Sequence, residues 1–105
     1  MTTPVEAFNP PACFTVLADA DTSVLSRVVE HFVVLDVLPD FVKLRRYAQG
    51  AIEISVKVRG LDEARLSLVA NKLGQIITVK QVLLEVFPVG GDISDYRERR
   101  LASAE

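Results

Sequence analysis

The sequence predicts an α+β domain in which two helices cover one face of a four-stranded antiparallel sheet. Three observations support this fold class. Segments typical of strands and helices follow one another in the order β-α-β-β-α-β. Residues 52–59 alternate apolar and polar side chains with period 2, which indicates a strand buried on one face. The chain has 105 residues, of which 50% are apolar, so it can bury the core of one compact domain.

The first strand and helix are predicted in the stretch "ACFTVLADADTSVLSRVVEHF". Residues 12–18 are rich in β-branched and aromatic side chains and predict strand one. An acidic turn follows, and the hydroxyl of Thr22 or Ser23 is predicted to cap the helix by accepting from an unpaired N–H of its first turn. The apolar positions i, i+3, i+4 and i+7 of this helix predict one buried face, made of Leu25, Val28, Val29 and Phe32.

Strands two and three are predicted to form a hairpin. Pro39 pushes the residue before it toward extended geometry, so we expect a bend at residues 36–39 and strand two at residues 40–48. Gln49-Gly50 makes the turn. In strand three, one face is predicted to pack and carries Ile52, Ile54, Val56 and Val58. The other face is predicted to meet water or a partner and carries Glu53, Ser55, Lys57 and Arg59.

The second helix and the last strand complete the pattern. Asp62 is predicted to cap a helix that runs to Leu73, and Gly74 is predicted to end it in the left-handed conformation. Its apolar stripe consists of Leu66, Val69, Ala70 and Leu73. The segment "QIITVKQVLLEVF", residues 75–87, predicts strand four.

The element order leads to a specific fold. Two right-handed crossovers around a central hairpin give the strand order 4-1-3-2, so we predict a ferredoxin-like βαββαβ sandwich with strand two at one edge. The domain is expected at residues 12–88, after an irregular lead-in at 1–11. Residues 89–105 form a charged tail, in which Ser94 could cap a short helix. This fold hosts many functions, so the function must be argued from the site.

Composition excludes several classes of function. The formal net charge is −2, which lacks the basic excess expected of a dedicated nucleic-acid binder. The single cysteine, Cys13, allows no internal disulfide, and no C-x-x-C metal spacing occurs. There is no basic, apolar leader and no apolar run of about 18 residues. We therefore expect a soluble cytoplasmic protein with no cofactor, no metal, no nucleic-acid partner and no membrane partner.

The residue types that usually carry chemistry are sparse. His31 has no partner at ligand spacing, and Cys13 is predicted to be a small core residue. The outward positions of strand three lack the aromatic residues with which RNA-recognition domains stack bases. The turn after strand one is acidic, whereas an acylphosphatase-like enzyme needs an arginine in a phosphate-binding loop there. The basic residues are predicted to lie on a solvated sheet face and are Lys43, Arg45, Arg46, Lys57 and Arg59.

Two stretches resemble a known family. "ADADTSVLSRVVEHF" resembles the first turn and helix of ACT domains, the small-molecule-sensing modules of amino-acid metabolism, and Leu25–Val28 carry the likeness. "VANKLGQIITVKQVLLE" resembles their second helix and last strand, including Asn71, Lys72 and Leu73. The sequence is most similar to the regulatory small subunit of acetolactate synthase. The family's Pro-Gly pair is Thr22-Ser23 here, and the family's asparagine after the first helix is absent.

The resemblance implies a non-catalytic regulatory or amino-acid-sensing protein. A small amino acid such as valine would bind beside the helix N-terminus, with its ammonium group on Asp19 or Asp21. The implied ligand-binding residues are Asp19, Asp21, Thr22, Ser23, Val24, Leu25 and Leu38. The resemblance also implies a homodimer and a large catalytic enzyme subunit as partner; the expected dimer interface is Val42, Lys43, Leu44 and Arg45. Three alternatives stay open, since the two aspartates could serve turn geometry alone, the domain could be an association module that has lost its effector, and the fold also serves small enzymes.

Overall fold

The computed structural model describes residues 9–87 and confirms the predicted α+β fold. Four antiparallel strands form one sheet in the order β2-β3-β1-β4, with two helices on one face. The elements are β1 (Ala12–Asp19), α1 (Val24–Val34), β2 (Phe41–Tyr47), β3 (Ala51–Val58), α2 (Glu63–Gly74) and β4 (Val79–Val86). The expected helix in the tail, and most of the expected lead-in, lie outside the described residues.

The core lies between the two helices and the sheet. Phe14 of β1 and Phe32 of α1 are fully buried and meet edge to face, with ring centroids 5.4 Å apart. The apolar face predicted for β3 is confirmed, because its four residues belong to this core. The stripe predicted for α2 is also confirmed: Leu66, Val69 and Leu73 are buried and Ala70 packs against them. Periodicity therefore identified the core-facing residues of both elements.

The segment after α2 differs from the prediction. Gly74 is the last residue of the helix and is not left-handed, whereas Gly60, before α2, has φ of 88°. Strand four begins at Val79 rather than at residue 75. The backbone N–H of Gln75 donates to Lys72 and that of Ile76 donates to Leu73, so these residues continue the helical winding as turns. The segment "QII" was predicted to begin the strand, but its first two N–H groups donate to carbonyl groups at the end of α2.

The outward face of β3 also differs from the prediction. Glu53, Ser55 and Lys57 are each only 6% exposed, so they do not meet water as expected, and only Arg59 of that set is exposed. β3 is an inner strand, and its side chains lie between those of β1 and β2. The Tyr47 hydroxyl of β2 donates to Glu53 Oε1 at 3.0 Å. The predicted solvated basic face is therefore wrong for Lys57, which is buried, and for Arg46, which is paired with Ile52 of the core and so lies on the helix side.

A second apolar cluster occupies the same outward side of the sheet. Cys13 and Phe87 are buried there, and Phe41 packs against them. The position of Cys13 confirms that it is a core residue rather than a reactive surface thiol. Register places Cys13 beside Lys57, so this cluster flanks the buried polar row of β3.

Candidate functional site

The turn between β1 and α1 lies at one end of the sheet and is fixed by two neighbouring segments. The backbone N–H of Asp19 donates to the Thr78 carbonyl at 2.9 Å, just before β4. The N–H of Ala20 donates to the Gly50 carbonyl at 2.8 Å, at the tip of the β2–β3 hairpin. Gln49 and Gly50 both have positive φ there, as the predicted tight turn requires. The turn is thus held on both sides by backbone hydrogen bonds.

Asp21 organises the start of α1. Its Oδ1 accepts from the backbone N–H of Ser23 at 2.9 Å and from the Ser23 hydroxyl at 3.0 Å, which forms an Asx turn. The hydrogen bond from the Ser23 backbone, then that from its side chain, then the charge of Arg27 hold the pKa of Asp21 below its ordinary value. The expected hydroxyl cap is wrong, because the Ser23 hydroxyl donates to Asp21 instead of accepting from the helix.

Asp19 is the second acidic group of the turn. Its carboxylate lies 3.4 Å from the Lys80 ammonium of β4, and both side chains are more than half exposed. An exposed pair of this kind contributes about 0–1 kcal/mol, so Lys80 does not commit Asp19 to a structural role. Two exposed carboxylates therefore lie two positions apart, between the end of β1 and the start of α1.

The structure brings together only part of the predicted ligand site. Asp19, Asp21, Thr22, Ser23 and Leu25 share the turn and the first turn of α1. The side chain of Val24 is fully buried in the core. Leu38 is 91% exposed and follows the far end of α1, which is 11 residues, or about 16 Å, long. Within one chain, Leu38 cannot line the same crevice as Asp21.

The β2 edge carries an apolar strip on the helix side of the sheet. Val42 and Leu44 point to that side, because they are paired with Val56 and Ile54 of the core, yet they are 42% and 41% exposed. Lys43 and Arg45 point to the other side and are also exposed. Among residues 9–87, no strand pairs with the outer edge of β2.

One side of α1 continues this strip. α2 contacts β4, so α1 lies on the β2 side of the sheet. Glu30, His31 and Val34 face α2 across a groove, which places Leu25, Val29 and Val33 on the opposite side of α1, toward β2. The predicted buried face of α1 is wrong for Leu25, which is 37% exposed, because Val24 takes the core position instead, and Val29 is only partly buried. Sequence reasoning also missed Val33. The signal was present, since Leu25, Val29 and Val33 repeat every four residues beside the buried stripe.

A groove between the helices was not predicted either. It has a volume of about 300 Å³ and is lined by Glu30, His31, Val34, Leu35, Leu68, Val69 and Lys72. Polar groups from both helices form its rim. Within residues 9–87, no cluster of three or more histidine, cysteine or acidic side chains is arranged to hold a metal ion. Neither helix of this part of the chain has the length and apolar character needed to cross a bilayer.

Comparison with known proteins identifies the family. The ACT-like domain family matches residues 7–89, so the chain belongs to that family. The C-terminal domain of the MgtC protein from Mycobacterium tuberculosis has a similar structure, with a TM-score of 0.64 and 17% identity, covering 75% of this chain and 88% of that one. The ACT domain from GTP pyrophosphokinase of Chlorobium tepidum gives a TM-score of 0.63 at 12% identity, covering 73% and 99%.

A third solved structure has the same fold. An ACT domain protein from Streptococcus pneumoniae gives a TM-score of 0.62 at 14% identity, covering 81% of this chain and 98% of that one. None of the curated protein sequences compared with the chain matches it. At these low identities the structural similarity shows the shared fold alone. ACT domains are typically regulatory modules that sense amino acids.

Proposed function

We propose that this ACT-like domain is a non-catalytic regulatory protein that acts as a homodimer joined through β2. The observation that carries the proposal is the exposed apolar strip formed by Val42 and Leu44 with Leu25 and Val33 of α1. An unpaired sheet edge with apolar neighbours favours association, because a second copy would satisfy its backbone groups and cover its side chains. Val42, Lys43, Leu44 and Arg45 form the proposed interface.

Light scattering tests the dimer. The chain should be dimeric at tens of micromolar, and Leu44→Lys should convert it to monomer because the charge would enter the apolar strip. Leu83→Lys is the matched control, since Leu83 has similar exposure (46%) on β4, at the opposite edge of the sheet. A wild-type chain that is monomeric at this concentration would rule out the dimer, as would equal effects of the two substitutions.

The proposed effector is a small amino acid such as valine, bound beside the turn between β1 and α1. The exposed carboxylates of Asp19 and Asp21 suit its ammonium group, and the N–H groups at the start of α1 suit its carboxylate. Antiparallel pairing of two β2 strands would bring Leu38 of the partner subunit, which precedes β2, near the end of this β2. That end is tied to the turn through Gly50 and Ala20. Leu38 would then complete the site in trans.

A thermal-shift screen of the proteinogenic amino acids tests the effector. A ligand at a hundred times its dissociation constant stabilises the folded state by roughly 2.7 kcal/mol, which is a readable shift. Asp21→Ala should abolish the shift. Asp62→Ala is the matched control, because Asp62 also accepts from a backbone N–H at a helix start but lies away from the turn. The absence of a shift with any amino acid at millimolar concentration would remove the effector and leave the dimer untouched.

A second candidate function is association without an effector. The Asx turn favours it, because the Asp21 carboxylate already occupies the start of α1, where a ligand carboxylate would bind. A bound amino acid would have to displace Asp21 from Ser23 or bind with its ammonium group toward Asp21. In this case the dimer forms, and no amino acid shifts the melting temperature in the thermal-shift screen.

The catalytic partner to test first is a large, thiamine-dependent subunit of the acetolactate synthase type, because the first helix resembles that family's regulatory subunit. Affinity purification of the full chain from its native cells should retain such a subunit. The proposal also requires that the pure chain lack catalysis of its own, so robust hydrolysis of an acyl phosphate by it would contradict the non-catalytic role.

A further inference from the structure

The side chains of β2 alternate between two different chemical faces. Val42 and Leu44 lie on the helix side of the sheet, whereas Lys43 and Arg45 lie on the other side, opposite Ser55 and Glu53 of β3. In an antiparallel pair, residues directly opposite one another share a face. A two-fold axis between two β2 strands must therefore pass midway between the two copies of one residue, and we call this an axis through that residue. The choice of the residue sets every cross-strand pair.

An axis through Leu44 pairs all seven residues of β2 but juxtaposes like charges. Lys43 would lie opposite Arg45 at two symmetric positions, and Val42 would lie opposite Arg46. Like charges directly opposite one another are destabilising. An axis through Arg45 fares no better on the helix side, because it places Leu44 opposite Arg46.

An axis through Lys43 gives complementary pairs on the helix side of the sheet and the fewest like-charge contacts on the other side. Val42 then lies opposite Leu44 at two symmetric positions, so the apolar strips of the two copies meet. The like-charge contacts fall to a single one, between the two Lys43 side chains at the axis. Asp40 lies across from Arg46, and its N–H already donates to the Lys57 carbonyl of β3 at 2.8 Å. Within the chain the Asp40 carboxylate pairs with Arg59 at 3.0 Å, so Arg46 of the second copy would be the second arginine at that carboxylate. Pairing again extends over seven residues, 40–46.

We infer that two copies of the chain pair antiparallel through β2 with the two-fold axis at Lys43. This inference rests on the proposed homodimer and adds its register. The axis leaves Asp40 and Arg46 as an intersubunit charge pair at each end of the joined strands. It also keeps Lys43 and Arg45 from meeting.

Disulfide trapping of the full chain distinguishes the registers. Lys43→Cys should form an intermolecular disulfide under mild oxidation at least ten times faster than Leu44→Cys. With the axis at Lys43, the two copies of position 44 are displaced by roughly 7 Å along the strands, in addition to the strand spacing of about 5 Å. That separation exceeds the limit of about 7 Å between the Cα atoms of a disulfide. The parent chain is the control, because its Cys13 is fully buried.

Exchanging the charges at positions 40 and 46 tests the register without oxidation. Arg46→Glu should raise the dimer dissociation constant about tenfold, and adding Asp40→Lys should restore most of the affinity. Asp40→Lys also breaks the ion pair with Arg59, so Arg59→Ala, which removes that pair alone, is the control and should leave the dissociation constant nearly unchanged. With the axis at Leu44, residue 40 lies beyond the paired strands and no restoration follows. Faster trapping of Leu44→Cys, or no restoration, in a chain that light scattering shows to be dimeric would overturn the register and leave the dimer standing. A monomeric chain would overturn both.

Discussion

Both helices bury an apolar stripe in the core, but they differ in how much apolar surface they leave exposed. α1 buries Val24, Val28 and Phe32, and α2 buries Leu66, Val69 and Leu73. Beyond this stripe, α1 still exposes three large hydrophobic residues, Leu25, Val33 and Val34, whereas α2 exposes only Leu68. α2 therefore carries little apolar surface beyond what the fold of the described residues buries, whereas α1 carries additional apolar surface that this fold leaves exposed. The excess indicates where a partner is expected.

The N-termini of the two helices also differ, in how they are capped. Asp62 immediately precedes α2 and accepts from the Arg65 N–H at 2.8 Å, and Glu63 adds a favourable charge in the first turn. α1 has no acidic residue in its first turn, and Asp21 lies two residues before Ser23, its backbone partner. The start of α2 is thus capped within the helix, and the start of α1 depends on an exposed turn.

The largest expected effect on stability comes from the core that both helices help to form. Phe32→Ala should lower the free energy of unfolding by about 3–5 kcal/mol, because it removes a fully buried ring that packs edge to face on Phe14. Urea unfolding followed by circular dichroism measures it. A loss below about 1 kcal/mol would show that α1 does not share the core in the way α2 does.

A smaller effect is expected at the start of α2. Asp62→Ala should cost about 1 kcal/mol, because it leaves the Arg65 N–H without its side-chain acceptor. Asp62→Asn is the control, since asparagine keeps an acceptor oxygen and should retain most of the stability. Equal losses for the two variants would show that the negative charge, rather than the hydrogen bond, stabilises this end.

The start of α1 should respond to pH through Asp21. Its pKa is lowered in the folded state, so its contribution to stability is present above the ordinary aspartate pKa of 3.8 and is lost as the pH falls through the folded-state pKa. The difference in melting temperature between the wild type and Asp21→Asn should therefore be largest near neutral pH and shrink below pH of about 4. A difference that stays constant over this range would contradict the role of the ionised carboxylate.

Sequence patterns predicted most of the fold because the core is periodic. The alternation in β3 and the stripe of α2 each identified the buried residues, and with the element order they gave the sheet topology. Two errors arose where local hydrogen bonds decided the outcome. Gln75 and Ile76 have strand-like neighbours, but their N–H groups bond back to the end of α2. Ser23 is a good capping residue by type, but Asp21 engages its hydroxyl and its N–H.

The candidate site was less predictable than the fold because it depends on packing between distant segments. The turn residues from Asp19 to Ser23 were identified from their position between a strand and a helix. No periodicity shows that Leu38 lies at the opposite end of α1, since that follows from the direction of the helix. The burial of Glu53, Ser55 and Lys57 escaped prediction because alternation indicates which face a side chain takes but not what covers that face.

The smallest expected effect on stability distinguishes the role of α1 in the core from its proposed role in the dimer. Val33 is 66% exposed on the side facing β2, and Val34 is 75% exposed on the side facing α2. Val33→Ser and Val34→Ser should each change the free energy of unfolding of the monomer by less than about 0.5 kcal/mol, because both sites are solvated and valine and serine have similar helix propensities. In the dimer, however, Val33 would lie beside the joined β2 strands. Sedimentation equilibrium should therefore show weaker dimerisation for Val33→Ser and unchanged dimerisation for Val34→Ser. If Val34→Ser weakened the dimer more, the partner would lie over the groove between the helices, and the β2 edge would not be the interface.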